Sequence, residues 1–186
     1  MSPRTSRLLA TMAVVLALGT VIALGWRDRE RFRVVGAGDV APEFVLPALD
    51  GDSVTLSSHR GHVVLVNVWA TWCAPCIWEM PAMERAFEEF GEHGFEILAV
   101  NVDMVTDDPA RNALIGTNIR DYVDELGVTF TVLRDPGGTV ERAYGVEALP
   151  TSFLIDREGR IAHKLIGPAE WDRDPYRSMI LELLES

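Results

Sequence analysis

Hydrophobic and polar residues follow two patterns between residues 41 and 186. Continuous, β-branched apolar runs are typical of strands buried on both faces, and they cover 62–69 and 96–102. Apolar residues spaced three or four apart predict helices at 79–90, 118–126 and 175–184. Shorter apolar runs beside turn residues predict further strands at 44–46, 54–56, 130–133, 151–155 and 160–166.

The order of these elements predicts an α/β domain with a mixed sheet. Strands alternate with helices over most of the chain, and a terminal hairpin around 156–159 adds an antiparallel edge. A second hairpin around Asp50-Gly51-Asp52 precedes the sheet as an N-terminal extension. Residues 103–117 are polar and poorly patterned, so we expect a loop there.

A different pattern fills the N-terminus. Residues 8–26 run for 19 positions without a charge behind Arg4 and Arg7, and as a helix they would span roughly 28 Å. We expect a transmembrane signal anchor. A cleavable signal peptide, with small residues at Ala23 and Gly25, and a buried core helix are the alternatives. The predicted organisation is a cytoplasmic tail at 1–7, the anchor at 8–26, a linker at 27–40 and one domain at 41–186.

Charge is distributed unevenly along the chain. Residues 1–33 contain six Arg and two acids, whereas the remainder contains 11 Lys and Arg against 26 Asp and Glu. A domain with this excess of acidic residues repels nucleic acid backbones and anionic membrane surfaces, so neither is expected as a ligand. Four Arg directly after the apolar run slightly favour the inverted topology, but a long trailing domain is translocated largely regardless of such counts.

The chain has only two cysteines, Cys73 and Cys76. Because so short a loop constrains the unfolded chain little, a chemical purpose is favoured over a structural one. Half of a zinc site is one alternative, but the four histidines do not follow the spacing that zinc sites use. Inert core cysteines are the other alternative, and the position at a strand-to-helix junction argues against them.

The pair falls where the strand 62–69 passes into a helix. Unpaired N–H groups and the helix dipole favour a thiolate on Cys73 there, and the thiolate is the nucleophile. Cys76 lies one turn further along, where it can attack a mixed disulfide formed on Cys73. Pro75 suits the first turn of the helix, where the N–H that proline lacks would have no partner within the helix. Trp72 flanks the pair, and we expect it to shield the sulfurs.

Several segments resemble the TlpA/ResA-like branch of the thioredoxin-fold, or redoxin, family. The resemblance covers roughly 40–168 and departs at the loop 104–116. It rests on VNVWATWCAPCIWEMP at 66–81, GVEALPTSFLID at 145–156, APEF at 41–44 and RGHVVLVN at 60–67. It implies a thioredoxin-like fold on the outer, periplasmic side of the cytoplasmic membrane. It also implies reduction of disulfides in exported proteins, notably in cytochrome c maturation, and electrons supplied by a membrane thiol carrier.

The resemblance also assigns roles to individual residues. Pro150 is similar to the family's cis-proline, and Leu149, Thr151, Trp72 and Pro75 then border the substrate. Without the resemblance, an ordinary trans Leu149–Pro150 bond is favoured. With it, the Leu149 backbone is free to pair with an extended client strand.

Glu79 lies three residues beyond Cys76, on the same helix face. The spacing fits either a buried acid/base group for Cys76 or an exposed first-turn glutamate, and the resemblance favours the first. Asn67 stands where ordinary thioredoxins carry a buried Asp, which also points to Glu79.

We therefore expect a thiol-disulfide oxidoreductase that needs no organic cofactor or metal beyond the Cys73–Cys76 pair. A membrane thiol-disulfide donor must keep the pair reduced in an oxidising compartment. Two other functions stay open. A peroxiredoxin shares the architecture but uses a lone peroxidatic cysteine. A copper-binding chaperone would use both cysteines as ligands.

Overall fold

A continuous apolar run forms the centre of the sheet. β3 (Val63–Trp69) is buried at all seven positions. It pairs in parallel with β4 (Phe95–Asn101) and antiparallel with β6 (Thr151–Ile155), so both of its edges are covered. β5 (Thr131–Arg134) extends the sheet beyond β4 in parallel, and β7 (Ile161–Ile166) extends it beyond β6 antiparallel. The order β5-β4-β3-β6-β7 confirms the predicted mixed sheet.

These elements come from a computed structural model that describes residues 12, 15–21, 23, 35–104 and 119–186. The chain divides into two units, 1–34 and 35–186, and residues 15–21 of the first are helical. No helix within the described ranges is long and apolar enough to cross a membrane. Nine of the 19 residues of the span expected at 8–26 lie within those ranges, whereas most of the loop expected at 103–117 lies outside them.

The N-terminal hairpin forms where the sequence predicts it. β1 (Val45–Pro47) pairs antiparallel with β2 (Ser53–Thr55) around the Asp50–Asp52 turn. Gly51 has φ = 100°, a left-handed conformation that residues with a Cβ rarely adopt, so the turn depends on glycine here. A short 3₁₀ helix at Leu56–His59 then leads into β3.

Helices lie against this sheet. α1 (Ala74–Phe90) contacts β4 and buries Met80, Met83, Ala86 and Phe90. α2 (Thr139–Ala143) is short, residues 119–126 are also helical, and α3 (Tyr176–Leu184) contacts β3. α1, residues 119–126 and α3 agree with predicted helices to within about five residues. Because β3 leads into α1 through four residues, the chain between them is fixed at the end of the central strand.

Candidate active site

The two cysteines lie at the junction between β3 and α1. Cys73 is the residue immediately before the first helical turn, with extended backbone angles. Its carbonyl accepts hydrogen bonds from the N–H groups of Cys76 and Ile77, at 3.0 and 3.2 Å, so the helix begins directly at the cysteine. Cys73 and Cys76 form a disulfide whose Cα atoms are 5.3 Å apart. The pair therefore meets the positive end of the helix dipole.

The two cysteines differ little in solvent exposure. Cys73 is 6% exposed and Cys76 is 0% exposed, so both residues are buried and Cys73 is slightly the more accessible. That Trp72 shields the sulfurs stays a prediction; Trp72 itself is 73% exposed. The large apolar face of Trp72 is left free for a partner that approaches the disulfide.

The segment that precedes β6 lies at the same end of the sheet as the dithiol, because Val68 near the end of β3 pairs with Thr151 at the start of β6. The Leu149–Pro150 bond is cis, the conformation that the resemblance implies, and β6 starts at Thr151. Thr151 fastens this bend, since its hydroxyl donates to the Ala148 carbonyl at 2.7 Å. The Pro150 carbonyl accepts from Gly167 N–H at 2.8 Å. Leu149 has no backbone hydrogen bond to another described residue outside the sheet ladders, so its N–H and carbonyl can receive a ligand strand.

A groove of about 680 Å³ runs beside these segments. The residues just before Cys73 form part of its wall, and Leu149 forms another part. Three carboxylate residues, Asp103, Glu141 and Glu147, also line it, and none of its described lining residues is Lys or Arg. The groove is therefore open to an extended segment and electrostatically negative.

Asp103 was not anticipated from the sequence. It is 6% exposed, and its carboxylate accepts from the Thr71 N–H at 3.2 Å and from Asn101 Nδ2 at 2.9 Å. These bonds hold the loop that presents Trp72 and Cys73. The available signal was its position directly after β4, because parallel strands such as β3 and β4 bring their carboxyl ends to one edge of the sheet.

Glu79 lies on α1 one turn beyond Cys76 and is 3% exposed, so the exposed alternative for this residue is excluded. Burial raises the pKa of its carboxyl to about 7. Hydrogen bonds partly oppose the effect of burial: Ala169 N–H donates to Oε2 at 3.0 Å, and Asn67 Nδ2 donates to Oε1 at 2.7 Å. The Trp171 indole also lowers this pKa, although its nitrogen makes no hydrogen bond of normal geometry. A carboxyl with a pKa near neutrality can both take and return a proton.

Comparisons with known proteins agree with this geometry. Residues 37–164 match the model of the AhpC/TSA family. The thiol-disulfide oxidoreductase ResA of Bacillus thuringiensis is 35% identical over 169 residues, which cover 88% of this chain and 90% of the relative. ResA of Geobacillus thermodenitrificans is 37% identical, covering 84% and 86%.

Solved structures are similar as well. One is the crystal structure of a Chlorobium tepidum protein assigned as a thiol:disulfide interchange protein DsbE. It superimposes with a TM-score of 0.70 at 34% identity and covers 82% of this chain and 99% of that one. The expected thioredoxin-like architecture is therefore confirmed.

Proposed function

Because the chain belongs to the AhpC/TSA family and is a thiol-disulfide oxidoreductase, we propose that it reduces disulfides in exported proteins through Cys73 and Cys76. The observation that carries the proposal is the Cys73–Cys76 disulfide at the start of α1, beside an open groove. A dithiol that closes into a disulfide gives up two electrons, and reduction of that disulfide restores the dithiol.

The exchange proceeds in two displacements. In the reduced protein the Cys73 thiolate attacks one sulfur of the client disulfide, forming a Cys73–client bond and releasing the other client sulfur as a thiolate. Glu79 then accepts the proton of the Cys76 thiol. The Cys76 thiolate attacks Cys73 Sγ, forms the internal disulfide and releases the second client thiolate. The client gains two electrons, and the Cys73–Cys76 pair loses them.

The groove supports an extended polypeptide as the client segment. The unpaired Leu149 backbone offers one N–H and one carbonyl for strand addition, the mode by which sheets recognise extended peptides. Trp72, 73% exposed, lines the same groove and offers an apolar surface. A client strand held between them would bring its disulfide to Cys73. Apocytochrome c is one client of this kind.

We further propose that residues 8–26 anchor the protein in the cytoplasmic membrane with the domain on the outer side. The uncharged run of 19 residues supports this arrangement. In that compartment a membrane thiol-disulfide carrier must re-reduce the Cys73–Cys76 disulfide, and no organic cofactor or metal enters the cycle. Protease added to spheroplasts is expected to digest the domain, whereas a protected domain would show the opposite orientation.

Trapping in cells tests the function. Cys76→Ser removes the second displacement, so clients should accumulate as mixed disulfides on Cys73 and can be identified after non-reducing capture. The matched control is Cys73→Ser, which keeps one cysteine but lacks the attacking one and should capture far less. Equal capture by both variants, or captured proteins that are all cytoplasmic, would contradict the proposal.

A further inference from the structure

Asn67 lies at the middle of β3, is fully buried and makes an unusual set of contacts. One atom, Nδ2, donates both to Glu79 Oε1 at 2.7 Å and to Ser152 Oγ at 2.9 Å. The other polar atom, Oδ1, is buried without a hydrogen-bond partner among the described residues. An unpaired buried acceptor is costly and rare, so its presence calls for a physical explanation.

The groups around the Glu79 carboxyl supply an explanation. Asn67 Nδ2 and Ala169 N–H both donate to it, and the Trp171 indole N–H also stabilises its charge. Cys76, one turn away on α1, is the other titratable group in the proton transfer. No charged side chain among the described residues contributes to the Glu79 shift. This environment suits an ionised carboxylate, whereas a protonated carboxyl needs an acceptor for its own O–H.

We propose that Asn67 positions Glu79 in both protonation states by turning over its side-chain amide. Nδ2 faces Glu79 and Ser152 while the carboxylate is ionised. When Glu79 holds a proton, Oδ1 takes that place and accepts the Glu79 O–H, and the Ser152 hydroxyl changes from acceptor to donor. A hydroxyl can play either part, so both hydrogen bonds persist.

Either orientation leaves one polar atom of the Asn67 amide unpaired, so the amide by itself has little preference. The protonation state of Glu79 therefore decides the orientation. The inference rests on the proposed function only in assigning the proton to Cys76. It also links Glu79 to the segment proposed to bind the client, because Ser152 on β6 follows the cis Pro150 by two residues.

Nuclear magnetic resonance of the oxidised full-length chain in detergent micelles tests the inference directly. The disulfide keeps both cysteines from titrating, so the Glu79 carboxyl can be followed by its ¹³C shift while the Asn67 side-chain amide is followed by ¹⁵N and ¹H. We expect both to titrate with one midpoint near pH 7, and we expect the Asn67 titration to disappear in Glu79→Gln. Asn67 signals that stay constant through the Glu79 titration, or titrate unchanged in Glu79→Gln, would overturn the inference.

Substitution gives a second, independent readout. Asn67→Leu removes a hydrogen bond from both protonation states of Glu79. The bond to the carboxylate is the stronger of the two because it is charge-assisted, so the midpoint of Glu79 should rise by up to about one pH unit. Ser152→Ala is the conservative partner variant; it leaves Asn67 in place, so coupled titration of Asn67 and Glu79 should survive. A Glu79 midpoint that falls in Asn67→Leu would contradict donation by Asn67 to the ionised carboxylate.

The wild-type titration needs no substitution, so the test stands even if Asn67→Leu fails to fold. It also needs no client. Failure of the amide to respond therefore leaves the trapping experiment on Cys76→Ser to decide the proposed function separately.

Discussion

Replacing Glu79 by Gln should change how the stability of the domain depends on pH. In the folded protein, burial raises the pKa of Glu79 from 4.5 to about 7. In the unfolded chain the carboxyl ionises near its ordinary value. Between these two values the folded state binds more protons than the unfolded state, so the contribution of Glu79 to stability falls as pH rises through this window and stays low above it.

The difference between the two pKa values sets the magnitude. A rise from 4.5 to about 7 corresponds to about 3 kcal/mol of unfolding free energy. Because Glu79 is only 3% exposed, solvent screening reduces this little. Gln cannot ionise, so the variant lacks this pH dependence. The difference in unfolding free energy between Glu79→Gln and wild type should therefore grow by about 3 kcal/mol in favour of the variant between pH 4 and pH 8. A constant offset from new hydrogen bonds in the variant does not affect this change.

Urea unfolding of the oxidised full-length protein at a series of pH values measures the effect. The matched control is Glu88→Gln, which removes an exposed carboxylate from the same helix and has no burial cost to release. Wild type and Glu88→Gln should follow similar curves, with Glu79→Gln diverging upward above about pH 5. Parallel curves for wild type and Glu79→Gln from pH 4 to pH 8 would refute the reasoning that burial dominates the Glu79 environment.

Three further predictions concern reactivity. Alkylation of the reduced protein near neutral pH should modify Cys73 before Cys76, in line with 6% against 0% exposure, and mass spectrometry of the peptides would reveal the opposite order. Glu79→Gln should slow release of the mixed disulfide by roughly 10²–10⁴, with a defect that shrinks as pH rises; stopped-flow rates that match wild type at every pH would leave Glu79 without an acid/base role. Glu147→Lys should weaken use of a cationic disulfide peptide roughly two- to fivefold in KM at low salt, with an anionic peptide as control; an equal change for both peptides would exclude charge recognition by the groove.

The sheet could be predicted because its central strand has no polar face. A run such as 63–69 fits only a strand buried on both sides, and it fixes β3 between two neighbours. The start of α1 was predictable for a local reason as well, since Cys73, Pro75 and the helical spacing after Glu79 all indicate one helix terminus. Patterns of this kind depend on neighbours in sequence.

The environment of Glu79 could not be predicted in the same way. Its spacing from Cys76 gave the shared helix face but left burial undecided. Burial depends on Asn67 and Ala169, which lie 12 and 90 residues away in sequence, and Asn67 in turn contacts Ser152, 85 residues away. Cys73 is likewise only 6% exposed, which its local sequence did not indicate.

Intact-mass measurement of a trapped intermediate tests the central claim most directly. Reduced Cys76→Ser protein is mixed with a peptide that contains one disulfide, and the reaction is quenched with acid. Mass spectrometry then gives the intact mass, and digestion locates the modified cysteine. Exchange through Cys73 predicts a stable one-to-one adduct on Cys73 that dithiothreitol removes and that the wild-type protein does not accumulate. No adduct on Cys76→Ser, together with an abundant adduct on Cys76 in Cys73→Ser, would contradict Cys73 as the attacking residue.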